Sequence, residues 1–127
     1  MKNIVFNLQT TTTTAADFYI PVPCRGRVVS FKVAHSTETD ADELFTLFWG
    51  TNAVSICTPT DALAAGTVIT GVADATYGNT VFDPDSTTAT YKVFHIDNLD
   101  TLDTGGVLSV FIEFDDSVAL TQAASEA

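Results

Sequence analysis

Positive charge is scarce in this sequence: five Lys and Arg stand against sixteen Asp and Glu, for a formal net charge of −11. A phosphate backbone would be repelled by such a chain at all but very local surfaces, so direct binding to DNA or RNA is disfavoured. Apolar runs are short. No stretch approaches the eighteen or so apolar residues of a membrane span, and the N-terminus, MKNIVFNLQTTTTT, lacks the continuous apolar segment of a signal peptide. The expectation is a soluble product made in the cytosol. The two cysteines, Cys24 and Cys57, form no CxxC or CxxH arrangement, which signals neither a metal site nor a redox motif. In a reducing compartment both are expected as free, partly buried thiols. There are two histidines, His35 and His95, on or at the ends of predicted strands. His35 adjoins Ser36, but strand neighbours point to opposite faces, so no nucleophile and base pair is implied. These absences lead us to expect a non-enzymatic protein without a cofactor. No run of Ala, Leu, Glu and Lys at helical spacing is present either.

What is present favours β structure. An apolar share of 46% with nine Phe argues against disorder, and the Thr-rich, β-branched content suits strands. At 127 residues the chain is of single-domain size and should bury about two-thirds of its extended surface. The clearest element is ELFTLFWGTNAVSI, residues 43–56. Phe45, Leu47 and Trp49 alternate with Leu44, Thr46 and Phe48, which puts apolar groups on both faces of one strand. Gly50, Thr51 and Asn52 supply a hairpin turn. Further strands are predicted over 3–8, 17–22, 27–35, 67–72, 80–82, 89–96 and 107–114, with a bulge at Gly71. One short helical turn over 58–66 could be capped by Thr60 or Asp61. The fold class is therefore all-β: an antiparallel β-sandwich or jelly roll of seven or eight strands with little or no helix. Phe45, Leu47, Trp49, Leu108, Val110 and Ile112 are expected in its core. The domain spans 1–118, and 119–127 read as a loosely attached tail. Residues 1–14 admit two readings, an edge strand of the sandwich or an arm free to pair with a neighbour.

Several constellations invite a chemical reading. Acidic residues gather at Asp40, Asp42 and Glu43, at Asp83 and Asp85, at Asp97, Asp100 and Asp103, and at Asp115 and Asp116. Calcium wants several oxygens converging from loops, yet the 97–106 segment does not follow EF-hand spacing, and acidic turns are commonly just solvated. Trp49 with Tyr19, Tyr77 and Tyr91 could form a sugar-stacking platform, although Trp49 shares its face with Phe45 and Leu47 and so reads as core. Arg25, Arg27 and Lys32 concentrate most of the positive charge in eight positions, a local patch suited to an acidic partner.

The succession FYIPVPCRGRVVSFKVAHST, an apolar strand ending in a Gly-Thr hairpin, then GTVITG and DTGGVLSVFIEF resembles the small β-sandwich decoration, or cement, proteins of tailed-bacteriophage capsids. Pro21, Pro23, Gly26 and Val28 match the opening edge strand; Gly105, Gly106, Leu108, Val110 and Ile112 match the closing strand. The acidic loop from Asp97 to Asp103 departs from that style. The resemblance implies a structural virion protein, made in the host cytoplasm and added to the capsid exterior. Its partner would be the major capsid protein, often with the decoration protein as a homotrimer, and neither nucleic acid nor membrane is implied. Candidate contacts are Ile4, Phe6 and Leu8 from the N-terminal strand with Arg25, Arg27 and Lys32 beside it. Two other classes stay open: a fibre or receptor-binding module recognising cell-surface glycan, and a calcium-dependent carbohydrate-binding module.

Overall fold

The computed structural model describes residues 2–10, 17–39, 44–59, 61–98 and 106–117. Among these, ten strands run β1 (Lys2–Thr10), β2 (Asp17–Pro21), β3 (Gly26–His35), β4 (Phe45–Trp49), β5 (Asn52–Cys57), β6 (Val68–Thr70), β7 (Val72–Ala73), β8 (Val81–Phe82), β9 (Val93–Asn98) and β10 (Gly106–Asp115). They form two five-stranded sheets: β1-β10-β3-β6, with β8 also on β3, and β2-β9-β4-β5-β7. Every ladder is antiparallel. The all-β sandwich expected from the alternating pattern is thus what the chain adopts.

Each sheet contributes one apolar face. Leu108, Val110, Ile112 and Phe114 of β10 point inward beside Phe31 and Val33 of β3, opposite Phe45 and Leu47 of β4 and Phe94 and Ile96 of β9. Phe94 ties the layers together, its ring meeting Phe82 edge-on at 5.0 Å and Phe114 at 5.6 Å. The hairpin joining β4 to β5 turns at Gly50, whose φ of 59° suits glycine. β1 pairs with β10 along its whole length, from Lys2↔Phe114 to Thr10↔Gly106, so the first strand lies within the protein's own sandwich. Its inner end is fastened by buried His35, whose Nε2 and Nδ1 meet the hydroxyls of Thr10 at 2.7 Å and Thr37 at 2.9 Å. Cys24 and Cys57 are both free.

Three local expectations are corrected. The 67–72 segment is not one strand with a bulge but two strands in different sheets, because the chain crosses between layers at Gly71. There the Gly71 N–H donates to the Phe31 carbonyl at 2.7 Å, and a Cβ would come within 2.4 Å of Ser55 Oγ and 2.8 Å of Phe31 O. The division adds a strand, and the count of ten among the described residues exceeds the seven or eight expected. The segment 89–96 begins as a 3-10 turn over Ala89–Tyr91, since Tyr91 is buried and its carbonyl accepts from the Asp83 N–H at 2.9 Å. In place of the helical turn, Leu63 bridges Thr39 in an isolated antiparallel pair. The Thr run at 11–14, the acidic residues Asp40, Asp42, Glu43, Asp100 and Asp103, and the expected tail at 119–127 lie outside the described residues.

Candidate functional site

Alternation fixes what each sheet shows to its surroundings. On the outer face of the first sheet the register sets Val5, Phe111, Lys32 and Thr70 in one row and Asn7, Ser109, Ala34 and Val68 in the next. Between them runs a groove of about 350 Å³ lined by Val5, Ala34, Val68 and Phe111 with Lys32. The Lys32 Nζ lies 5.8 Å from the centre of the Phe111 ring, within cation–π range. Val5 is 68% and Val68 61% exposed. Across the outward positions of β1, β10, β3 and β6 the charged residues are Lys32 and Glu113 with, at one end, the facing pair Arg27 and Asp115. On a chain of net charge −11, this face is close to neutral.

The residues predicted as contacts are distributed differently. Ile4, Phe6 and Leu8 pack against the core. Arg25 is engaged by Asp83, its Nη1 donating to Oδ2 at 2.7 Å with both side chains largely buried, and Arg27 stands opposite Asp115 and Val81. Lys32 alone of the six reaches the groove. Val5 lies on β1 at the opposite parity to Ile4, Phe6 and Leu8, and Phe111 on β10 at the opposite parity to its core residues, so the signal was in the alternation of β1 and β10.

The outer face of the second sheet is polar at one edge and aromatic at the other. Register places Tyr19, His95, Phe48 and Ala53 in one row and Asp17, Asp97, Thr46 and Ile56 in the next. The His95 ring is stacked on Tyr19 at 4.6 Å and tilted against Phe48 at 5.1 Å. Its Nδ1 lies 3.0 Å from the Gly50 carbonyl, and its Nε2 lies 2.7 Å from Asp17 Oδ1. A carbonyl can only accept, so Nδ1 carries a proton and donates. Burial alone would lower the His95 pKa, but the bonds to Gly50 and Asp17 and the charges of Asp17 and Asp97 outweigh it and raise the pKa above 6.5. Asp17 is lowered, chiefly by its bond with His95. Asp97 is pushed up to about 6, first by burial and then by the charge of Asp17.

Beyond that row the β4–β5 turn and the 3-10 turn form an aromatic corner. The Trp49 indole stacks on Tyr91 at 4.9 Å and meets Tyr77 at 5.7 Å, while its Nε1 donates to Thr90 Oγ1 at 2.9 Å. A pocket of about 210 Å³ opens there between the three rings and Thr76, Asn79 and Thr80. The platform suggested by sequence therefore gathers Trp49, Tyr77 and Tyr91, whereas Tyr19 sits with His95. Cys57 has no part in either face: it is fully buried, and burial pushes its thiol up to about 12. No family model, curated protein or solved structure matches this chain.

Proposed function

We propose that this protein is a structural, non-catalytic binding module of the decoration type: it docks on the outside of a phage head, as a homotrimer, against the major capsid protein. The observation that carries this reading is the groove on the first sheet. An apolar surface with Val5 and Val68 exposed at 68% and 61% marks a binding face when it is contiguous. Charge supports the same side: other surfaces of the chain would be repelled by an acidic coat, while this face offers Lys32 within an apolar frame. Because Ile4, Phe6 and Leu8 fill the protein's own core, contact falls to the opposite side of β1, at Asn3, Val5 and Asn7, and does not require the strand to leave.

The test is co-sedimentation with purified, tail-less heads and a count of copies per particle. Val5→Glu combined with Val68→Glu should keep the native circular dichroism spectrum and lose at least tenfold in head binding. Hundreds of wild-type copies agree with a coat role; a dozen or fewer, or unchanged binding by the double variant, refutes it. A second reading, glycan recognition by a fibre module, draws on the pocket at Trp49, Tyr77 and Tyr91, since aromatic faces rimmed by hydroxyl and amide groups suit a sugar ring. Binding to host envelopes instead of heads, abolished by Tyr77→Ala, would establish that alternative.

A further inference from the structure

We infer that Asp17, His95 and Asp97 form a site for a divalent cation of the zinc or manganese class on the outer face of the second sheet, with Thr46 as an adjoining oxygen. One ligand atom from each of the first three can be chosen so that all lie within 4.8 Å of one another. The grouping is built by the sheet: Asp17 of β2 is the direct partner of Asp97 of β9, and His95 lies two residues before Asp97 on the same face.

Four features separate this grouping from a chance cluster of surface acids. The first is the imidazole. Its Nδ1 donates to the Gly50 carbonyl at 3.0 Å, the kind of bond that ordinarily orients a metal-binding histidine and leaves Nε2 as the ligand atom. The second is rigidity, because Tyr19 and Phe48 pack on the ring and hold it where Nε2 meets the carboxylates. Third, Asp17 and Asp97 face each other across adjacent strands beside His95, so two carboxyl groups and an imidazole converge on one point of the sheet. Fourth, Asp97 Oδ1 and Thr46 Oγ1 are sealed from solvent without hydrogen-bond partners. Thr46 is fully buried and stands directly opposite Asp97 on β4. Two orphaned oxygens on directly paired residues are costly in a folded protein unless a ligand satisfies them.

The donor set chooses the ion. One imidazole with two carboxylates suits zinc or manganese, whereas calcium and magnesium prefer all-oxygen shells. Three protein ligands leave a coordination position for water, the pattern of an open site. Binding replaces the proton between His95 Nε2 and Asp17, so that proton is released to solvent as the metal enters. None of this depends on which partner the first sheet contacts.

Titration of the intact protein with zinc chloride near pH 7.5, followed calorimetrically in two buffers of different ionisation enthalpy, tests the inference. One ion per chain should bind with net proton release, and D97N and H95Q should each weaken binding at least tenfold while keeping the native near-ultraviolet spectrum. Nitrogen-15 resonances of His95 in the unmodified protein supply a readout independent of variant folding: zinc should shift Nε2 far more than Nδ1. No saturable binding below millimolar zinc would overturn the site. So would a stoichiometry of one that survives both substitutions with the His95 resonances unmoved, since the ion would then sit on other acidic groups.

Discussion

Replacing Phe94 by Ala should cost more than any other single truncation in the sandwich. The side chain is fully buried, and it meets Phe82 at 5.0 Å and Phe114 at 5.6 Å, both in the opposite sheet, in edge-to-face geometry. Phe→Ala changes in cores lose about 3 to 5 kcal/mol through transfer energy and the cavity left behind. Two aromatic pairs, each worth roughly 0.5 to 1.5 kcal/mol beyond area, place this site in the upper part of that range. At roughly 4 °C per kcal/mol for a domain of this size, the midpoint should fall by about 15 to 20 °C. Urea unfolding followed by the fluorescence of Trp49, the one tryptophan in the chain, measures the loss directly, with an unchanged slope confirming that the two end states are comparable. Val72→Ala serves as the control, because Val72 is 73% exposed and surface changes stay within about 0.5 kcal/mol. A loss below about 2 kcal/mol at Phe94 would refute the claim that this ring joins the sheets.

Three further outcomes follow from the geometry. Native protein treated with iodoacetamide near pH 8 should be labelled at half-buried Cys24 and not at Cys57, whose thiol is pushed up to about 12; mass spectrometry showing rapid native labelling of Cys57 would contradict its burial. Without added metal, the protein should resist urea better near pH 5 than near pH 8, because Asp97, raised to about 6, and His95, raised above 6.5, both hold protons more tightly when folded. Their contribution is complete below the unfolded values and disappears as pH rises through the folded ones, whereas Asp17, being lowered, opposes it only in more acid solution. Asp97→Asn should flatten this dependence, and an unchanged pH profile in that variant would show that general charge repulsion causes it. Gly71→Ala should destabilise by about 2 kcal/mol or more, since its Cβ would lie 2.8 Å from a backbone oxygen of β3; a loss below about 0.5 kcal/mol by urea unfolding would show that the crossing is not tightly packed.

The long strands were legible because their alternation is nearly uninterrupted. β3 and β10 begin and end within a residue or so of their predicted limits, and the inward residues of β10 are those the period of two selects. In β3 the period holds for Phe31 and Val33, but an irregularity in the pairing with β10 skips Val29, which the alternation places inward, and turns Val28 into the core instead. The hairpin at Gly50 was equally readable from turn chemistry. Gly71 was not, because a glycine that makes a bulge and one that lets the chain change sheets look alike until the neighbouring backbone is in place. The same reason hid the cluster of Asp17, His95 and Asp97. His95 and Asp97 sit two apart in sequence, a spacing compatible with many strands, and Asp17 joins them only through the pairing of β2 with β9. No local pattern encodes that pairing. The partner of Arg25 was hidden for a related reason: charge density along the chain says nothing of a carboxylate 58 positions away that bonds to it.

The pairing of the first strand with the last bears on how the protein is made. A ribosome adding about 5 to 20 residues per second needs several seconds after β1 is finished to deliver β10, which occupies the middle of its sheet between β1 and β3. During that interval neither β1 nor the facing edge of β3 has its partner, and closing so long a loop must precede the contacts that reward it. The nascent chain therefore passes through a stage with two unsatisfied strand edges, where premature association between copies competes with folding. Synthesis rate and chaperone supply, more than the stability of the finished sandwich, should set the yield of native protein.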